Sequence, residues 1–385
     1  MRAAVLLTAL TLSAHAQWTL QQSNTTADLR GIDNVGHGIA WASGSNGTVL
    51  HTTDNGATWL LCKTPPDAEH LDFRGIQAFD AKTAIVMSSG KGDLSRLYKT
   101  TDGCLTWKLV FRNPDKDGFW DSVRFQNEMT GTLLGDPTHG LFYVAESFDG
   151  GKHWRQINNK GLHADASGQG AFAASNSSLI ASQRMNLALV SGGSNGAFYY
   201  ADRETTICLD DCSPEESNQD GHLDKWSRDP VPVGTKSPSS GIFSVGFQGP
   251  DLIGDEKMQS WRQTGLSKEI GIAVGGDYQK PDDPTHTAAF TINGGKTWQA
   301  AVTPPHGYRS AVAYDAPTKT WITVGPNGTD ISTDDGRNWR ALKPSPADQP
   351  DADQHWNALS LPFVVGPHGR IGLLNSTALQ PAKSL

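Results

Sequence analysis

Seven times along the chain a polar residue is followed by a small one and then an apolar one. The seven are Arg30-Gly31-Ile32, Arg74-Gly75-Ile76, Asp121-Ser122-Val123, Gln169-Gly170-Ala171, Ser240-Gly241-Ile242, Arg309-Ser310-Ala311 and Asn357-Ala358-Leu359. Each opens a short apolar run of strand length, and in most cases a Trp follows roughly 30 residues later, room for three more short strands. No stretch has the length and periodicity of a long helix. The pattern predicts an all-β chain of repeated four-stranded units.

A second repeat closes these units. A TxDxGxxW-like signature occurs as TTDNGATW ending at Trp59, TTDGCLTW at Trp107, SFDGGKHW at Trp154, TINGGKTW at Trp298 and STDDGRNW at Trp339. Within each run of consecutive copies the Trp residues fall about 40–50 residues apart, the length of one four-stranded propeller blade. The gap from Trp154 to Trp298 is about three times that, and Trp226 divides it into halves, so two enlarged blades are expected there with insertions at 203–225 and 248–268. Trp18 in WTLQQ has no signature before it, while the tail from His355 to Leu374 lacks a closing Trp. The N-terminal strand should therefore complete the last blade, giving a seven-bladed β-propeller whose closed ring leaves few exposed sheet edges.

The signature itself reads as a hairpin device. Asp54, Asp102, Asp149 and Asp334 can accept hydrogen bonds from turn amides, the Gly permits positive φ, and Trp59, Trp107, Trp154, Trp298 and Trp339 bury large rings against the blades. Two copies vary, with Asn293 in place of Asp and Cys104 in place of Gly. The repeats are thus assigned to architecture.

The N-terminus changes the setting. Arg2, an apolar stretch from Ala3 to Leu12, and Ala14-His15-Ala16 before Gln17 form a secretory signal pattern over residues 1–16, so a secreted or periplasmic propeller domain over 17–385 is expected. No window is long and apolar enough for a transmembrane helix. Net charge is −8 with both signs dispersed, which argues against a nucleic-acid partner. A monomer is expected. Sequons stand at Asn24, Asn46, Asn176, Asn327 and Asn375.

Four cysteines in an exported chain favour disulfides. Cys208 and Cys212 frame the short loop CLDDC and are one candidate pair. Cys62 and Cys104 fall in neighbouring blades, where pairing depends on geometry that spacing does not settle. Glu216, Asn218, Asp220 and Gly221 resemble part of a calcium loop, but the terminal bidentate Glu is missing, so a solvated acidic loop is the reading and no metal is assigned. His-rich metal motifs, nucleophile elbows, phosphate loops and dinucleotide, flavin or haem motifs do not occur, and no cofactor is expected.

Function is expected on the face opposite the signature turns. There Arg30, Arg74 and Arg309 would ring the mouth of a central channel, forming a positive arc on an acidic protein. Three neighbouring arginines repel unless something negative lies among them. Asp121, Asp136 in LLGDPTHG and Asp277 in VGGDYQKPDD are the internal candidates. Two readings follow: an internally neutralised polar channel, or a binding patch made of these six residues for a carboxylate-bearing or acidic partner.

The signatures, together with LDFRGIQAFD, GAFAAS, SGIFSV, GGDYQKP, GYRSAVAY and VGPNGTDISTDDG, resemble the BNR or Asp-box repeat superfamily. The resemblance is to exported bacterial members of the branch that includes the photosystem II stability and assembly factor. It covers nearly the whole mature chain. It implies a seven-bladed propeller acting as a binding or assembly scaffold through an arginine-rich patch, which Arg30, Arg74 and Arg309 would carry. Sialidases share the signature, so the alternative is a glycoside hydrolase acting on a carboxylate-bearing sugar. In it the three arginines would grip the carboxylate, Asp121 or Asp277 would be the acid, and Tyr278 or Tyr308 the nucleophile. Against it stand the missing FRIP-type motif, the blade count and the lack of a Glu beside either Tyr, together with the demand of ordinary retaining hydrolysis for two close carboxylates.

Overall fold

The computed structural model describes residues 17–157, 159–165, 168–181, 187–193, 196–201, 226–248, 269–344 and 348–379. Residues 1–16, read from the sequence as a signal pattern, Cys208, Cys212, the acidic stretch around 216–221 and most of the expected 248–268 insertion lie outside the described residues.

Seven four-stranded antiparallel sheets form the ring, each with its strands in sequence order from the inner edge outward except the last. The inner strands are Leu29–Gly36, Phe73–Ala78, Trp120–Phe125, Leu179–Ala181, Ser240–Phe247, Ala311–Asp315 and Ala358–Ser360. The corresponding outer strands are Leu60–Leu61, Lys108–Arg112, Arg155–Gln156, Trp226–Pro230, Gln299–Ala300, Arg340–Ala341 and Trp18–Gln21. Antiparallel order brings the starts of the inner strands and the turns between second and third strands to one end of every blade. The signature turns lie at the other.

Trp18–Gln21 pairs antiparallel with Ile371–Leu374, Trp18 opposite Leu374 and Gln21 opposite Ile371, so the N-terminal strand completes blade 7. Blade 1 locks this closure. Trp59 Nε1 donates to Gln21 Oε1 at 2.9 Å, Asn357 Nδ2 donates to Leu29 O at 2.8 Å, and Trp59 packs edge-on against Phe363. The cores lie between neighbouring blades: Trp41 and Val49 of blade 1 join Phe73, Ile76, Val86 and Tyr98 of blade 2 in one cluster. Burying such rings at roughly 25 cal/mol per Å² is the main force holding blade to blade.

In the first signature turn Asp54 Oδ1 accepts from the Thr58 amide at 2.9 Å and from Thr52 Oγ1 at 2.8 Å, while Thr52 Oγ1 accepts from the Gly56 amide at 3.0 Å. The same wiring recurs around Asp102, Asp149, Asn293 and Asp334. The hydroxyl two residues before the acid is therefore a full member of the device. Cys104 holds φ 63° at the Gly position, a costly conformation for an L-residue, and it is tied by a disulfide to Cys62 of blade 1.

Blade 4 departs from the expected register. Gln169 precedes the inner strand by ten residues because Ala171–Ser178 is irregular and crosses the centre of the ring. Ser175 Oγ donates to Ser310 O of blade 6 at 2.9 Å, and Ser177 Oγ meets Ser244 Oγ of blade 5 at 2.7 Å. Asn176, at φ 61°, accepts from Val123 N of blade 3 at 2.8 Å and donates to Ile76 O of blade 2 at 3.2 Å. A Cβ at Gly75 would lie 2.9 Å from its Oδ1, which is why that position is Gly. One segment thus bonds to four other blades across the region expected to be a channel.

Candidate functional site

Arg30 and Arg74 meet on either side of Asp72. Arg74 Nε donates to Asp72 Oδ2 at 2.8 Å, whereas Arg30 Nε lies 3.2 Å from Asp72 Oδ1 outside hydrogen-bond geometry, so that contact is an ion pair by distance alone. Asp72 just precedes the inner strand Phe73–Ala78, Arg74 sits where that strand's pairing shifts register between Phe73 and Gly75, and Arg30 sits at the matching shift between Leu29 and Gly31 of blade 1. Both guanidinium groups remain partly open, with side-chain exposures of 32% and 30%. Arg74 Nη1 reaches Ala173 O at 3.4 Å. Among the described residues no partner is recorded for either terminal nitrogen of Arg30 or for Nη2 of Arg74. Two arginines share one carboxylate and keep three terminal nitrogens for something else.

Arg309 does not join them. Its side chain is 0% exposed, its Nε donates to Asp330 Oδ2 at 2.9 Å, and Nη2 also contacts that carboxylate. Nη1 donates to Tyr308 O at 2.7 Å and Asn327 Oδ1 at 2.6 Å. Burial lowers the Arg309 pKa and Asp330 opposes the fall; burial raises that of Asp330, but His306 and Arg309 outweigh it and hold the carboxyl below its ordinary value. The expected three-arginine arc is corrected to a pair. A guanidinium enclosed in the protein must be paired internally, and Asp330, an acid in the middle of the buried strand Gly328–Ser332, is its partner.

Asp121 and Asp136 lie together beside Arg74. Asp121 is buried and its Oδ2 has no hydrogen-bond partner. Burial drives its pKa well up, the charge of Asp136 adds to this, and Arg74 opposes it. Asp136 Oδ1 accepts from the Ala171 amide at 2.9 Å, and burial pushes that carboxyl up to about 6. Asp121 is enclosed, whereas Asp136 is only partly buried, and no hydrogen bond joins either carboxylate to Arg30 or Arg74 among the described residues.

Asp277 is fixed in blade 5 by Ser239 Oγ at 2.7 Å, the Gln279 amide at 3.1 Å and Ser237 Oγ at 3.3 Å. Burial would raise its pKa, but these donors and Lys280 prevail and keep it low. A carboxylate held ionised by three donors is a poor general acid. Tyr278 beside it is half exposed, whereas Tyr308 is buried and burial pushes its hydroxyl far above the ordinary range. No hydrogen bond among the described residues joins Asp121 to Asp277 or to either Tyr. The hydrolase constellation of Asp121, Asp277 and Tyr278 is not assembled by hydrogen bonds, and two of its members are occupied or enclosed.

The Asp72, Asp330 and serine partners were not read from the sequence. Asp72 had a usable signal, lying two residues before Arg74; the others come from blades folded back in space. Among the described residues no group of three or more His, Cys, Asp or Glu side chains is placed to hold a metal ion. No helix there is long and apolar enough to cross a membrane.

Comparison of the whole architecture with solved structures gives full-length matches. The structure described as YCF48 bound to D1 peptide aligns over 94% of this chain and 97% of its own, with a TM-score of 0.58 and 16% identity. This chain has the YCF48 fold. YCF48 from Cyanidioschyzon merolae aligns over 94% of this chain and 100% of its own, with a TM-score of 0.58 and 17% identity. The seven-bladed propeller of YCF48, a photosystem II assembly factor, is the architecture that the repeat resemblance implied. No family model and no curated protein matches this chain.

Proposed function

We propose that this protein is an exported binding scaffold that holds a protein partner through a carboxylate at Arg30 and Arg74. The carrying observation is the three terminal guanidinium nitrogens left without a partner on a partly exposed pair that shares one Asp. Such forks match carboxylates in bidentate geometry, and a ligand carboxylate would pair the terminal nitrogens that Asp72 leaves open. That a propeller of the YCF48 fold has been captured with a D1 peptide supports peptide recognition as the kind of binding. Export is supported by the signal pattern of residues 1–16 and by the Cys62–Cys104 disulfide, a bond that persists in oxidising compartments.

The test is quantitative recovery of partners from an extract of the native cell on immobilised wild type and on Arg30→Glu/Arg74→Glu. Arg309 is left intact, because reversing an enclosed charge would unfold the bait. We expect recovery of the specific partner to fall roughly tenfold or more, with thermal unfolding unchanged. Equal recovery on the two baits would remove the proposal.

A further inference from the structure

Beside the arginine pair lies a group of four aromatic rings. Phe172 and Phe243 stack with centroids 3.9 Å apart and planes 9° from parallel. Tyr308 meets Phe243 edge-on at 4.8 Å, and Tyr278 does so at 6.1 Å. Phe243 and Tyr308 are buried, yet Tyr278 is 49% exposed. A large ring is therefore held half in solvent against the edge of Phe243, instead of folding into the core.

Both arginines lie near this group. Arg74 Nη1 bonds to the carbonyl of Ala173, next to Phe172, while Arg30 and Tyr278 both lie within electrostatic reach of the Tyr308 hydroxyl. The loop that presents Tyr278 is anchored. Its amide donates to Ser239 O at 3.2 Å, and Asp277 before it is gripped by two serines and the Gln279 amide. An apolar surface held rigid before binding loses little entropy when a ligand settles on it.

We propose that Tyr278, edge-on to Phe243 of the stacked Phe172–Phe243 pair, is an apolar shelf for a peptide that carries an aromatic or long aliphatic side chain next to the carboxylate taken by Arg30 and Arg74. This rests on the arginine reading above and adds the second half of the recognition element. Charge complementarity selects the occupant: the partly exposed guanidinium groups of Arg30 and Arg74 keep three terminal nitrogens that Asp72 does not take, which favours an acidic peptide. Aromatic stacking and cation–π contact then discriminate among acidic peptides.

A display library of random peptides, selected in parallel on the full-length wild type, Tyr278→Ala and Arg30→Glu/Arg74→Glu, tests this. The expected wild-type enrichment is an acidic residue or free C-terminus adjacent to an aromatic or long aliphatic one. On Tyr278→Ala the acid should persist and the apolar neighbour should disappear, with the best wild-type peptide binding roughly tenfold more weakly. On the arginine variant both should be lost. Tyr278→Phe should retain the wild-type preference, and each variant's unfolding midpoint reports whether it is folded. Acidic peptides without an apolar neighbour, or a neighbour that survives Tyr278→Ala, would overturn the shelf and leave the arginine reading standing. Absence of acidic enrichment on the wild type would overturn both.

Discussion

Arg309 and Asp330 form an enclosed ion pair, with Arg309 Nε 2.9 Å from Asp330 Oδ2 and neither side chain more than 2% exposed. The pair joins the segment just before the inner strand of blade 6 to the middle of the strand Gly328–Ser332, and Asn327 and His306 complete its hydrogen bonds. It is a structural contact, distinct from the open Arg30–Asp72–Arg74 group.

Removing one partner would leave the other charge buried and alone. Arg309→Met should therefore lower stability by about 3–5 kcal/mol, whereas Arg30→Met should change it by less than about 1 kcal/mol. Urea unfolding of the two variants checks this. Similar midpoints for both would show that the Arg309 pair is not structural.

Asn176 is expected to hold the centre of the ring. Asn176→Ala removes hydrogen bonds to blades 2 and 3 and places a Cβ-bearing apolar residue at φ 61°, so a loss of about 2–4 kcal/mol is expected. The same enclosure bears on the sequons. In a glycosylating host, peptide mapping should find Asn176 unmodified, while Asn24 and Asn46 stand exposed at the surface.

The Cys62–Cys104 bridge closes a sequence separation of 42 residues. Chain-entropy bookkeeping for such a loop gives about 4 kcal/mol, an upper figure because Cys104 occupies a left-handed position. Cys62→Ser/Cys104→Ser should unfold at lower temperature than the wild type, and a reductant should lower the wild type alone. Insensitivity of the wild type to reductant would contradict the bridge.

Asp136 and Asp121 set a pH dependence with a definite sign. Burial pushes Asp136 up to about 6, against about 3.9 in the unfolded chain. Between these values the folded protein holds more protons, so its stability falls as pH rises, by about 3 kcal/mol from this group once pH passes its folded value. Asp121 is displaced in the same direction, by burial first and by the charge of Asp136 second. Asp136→Asn keeps an oxygen for the Ala171 amide and should flatten the fall between pH 4 and 7. Urea midpoints across that range check it, and parallel profiles for both proteins would contradict the assignment.

Much of the architecture was legible because it repeats. Alternating strands and a signature at blade spacing fixed the number of blades, and an unpaired Trp18 strand facing a Trp-less tail fixed the closure. Blade 4 broke the register at Gln169, since periodicity cannot foresee a segment that leaves its own sheet to bond with four others. The site was half legible. Inner-strand register grouped Arg30, Arg74 and Arg309 by height, but burial depends on what neighbouring strands supply. Asp330 encloses Arg309, while Asp72 leaves Arg30 and Arg74 partly open. The aromatic group comes from four separate stretches of chain, and no local pattern joins Phe172 to Phe243.

Recognition through Arg30 and Arg74 is tested most directly by titrating the recovered partner against purified wild type, Arg30→Glu/Arg74→Glu and Lys152→Glu, a charge reversal in a signature turn at the other end of the blades. The account predicts a loss of affinity of roughly a hundredfold for the arginine variant and wild-type affinity for Lys152→Glu. Equal affinity for wild type and the arginine variant, or a loss confined to Lys152→Glu, would contradict it.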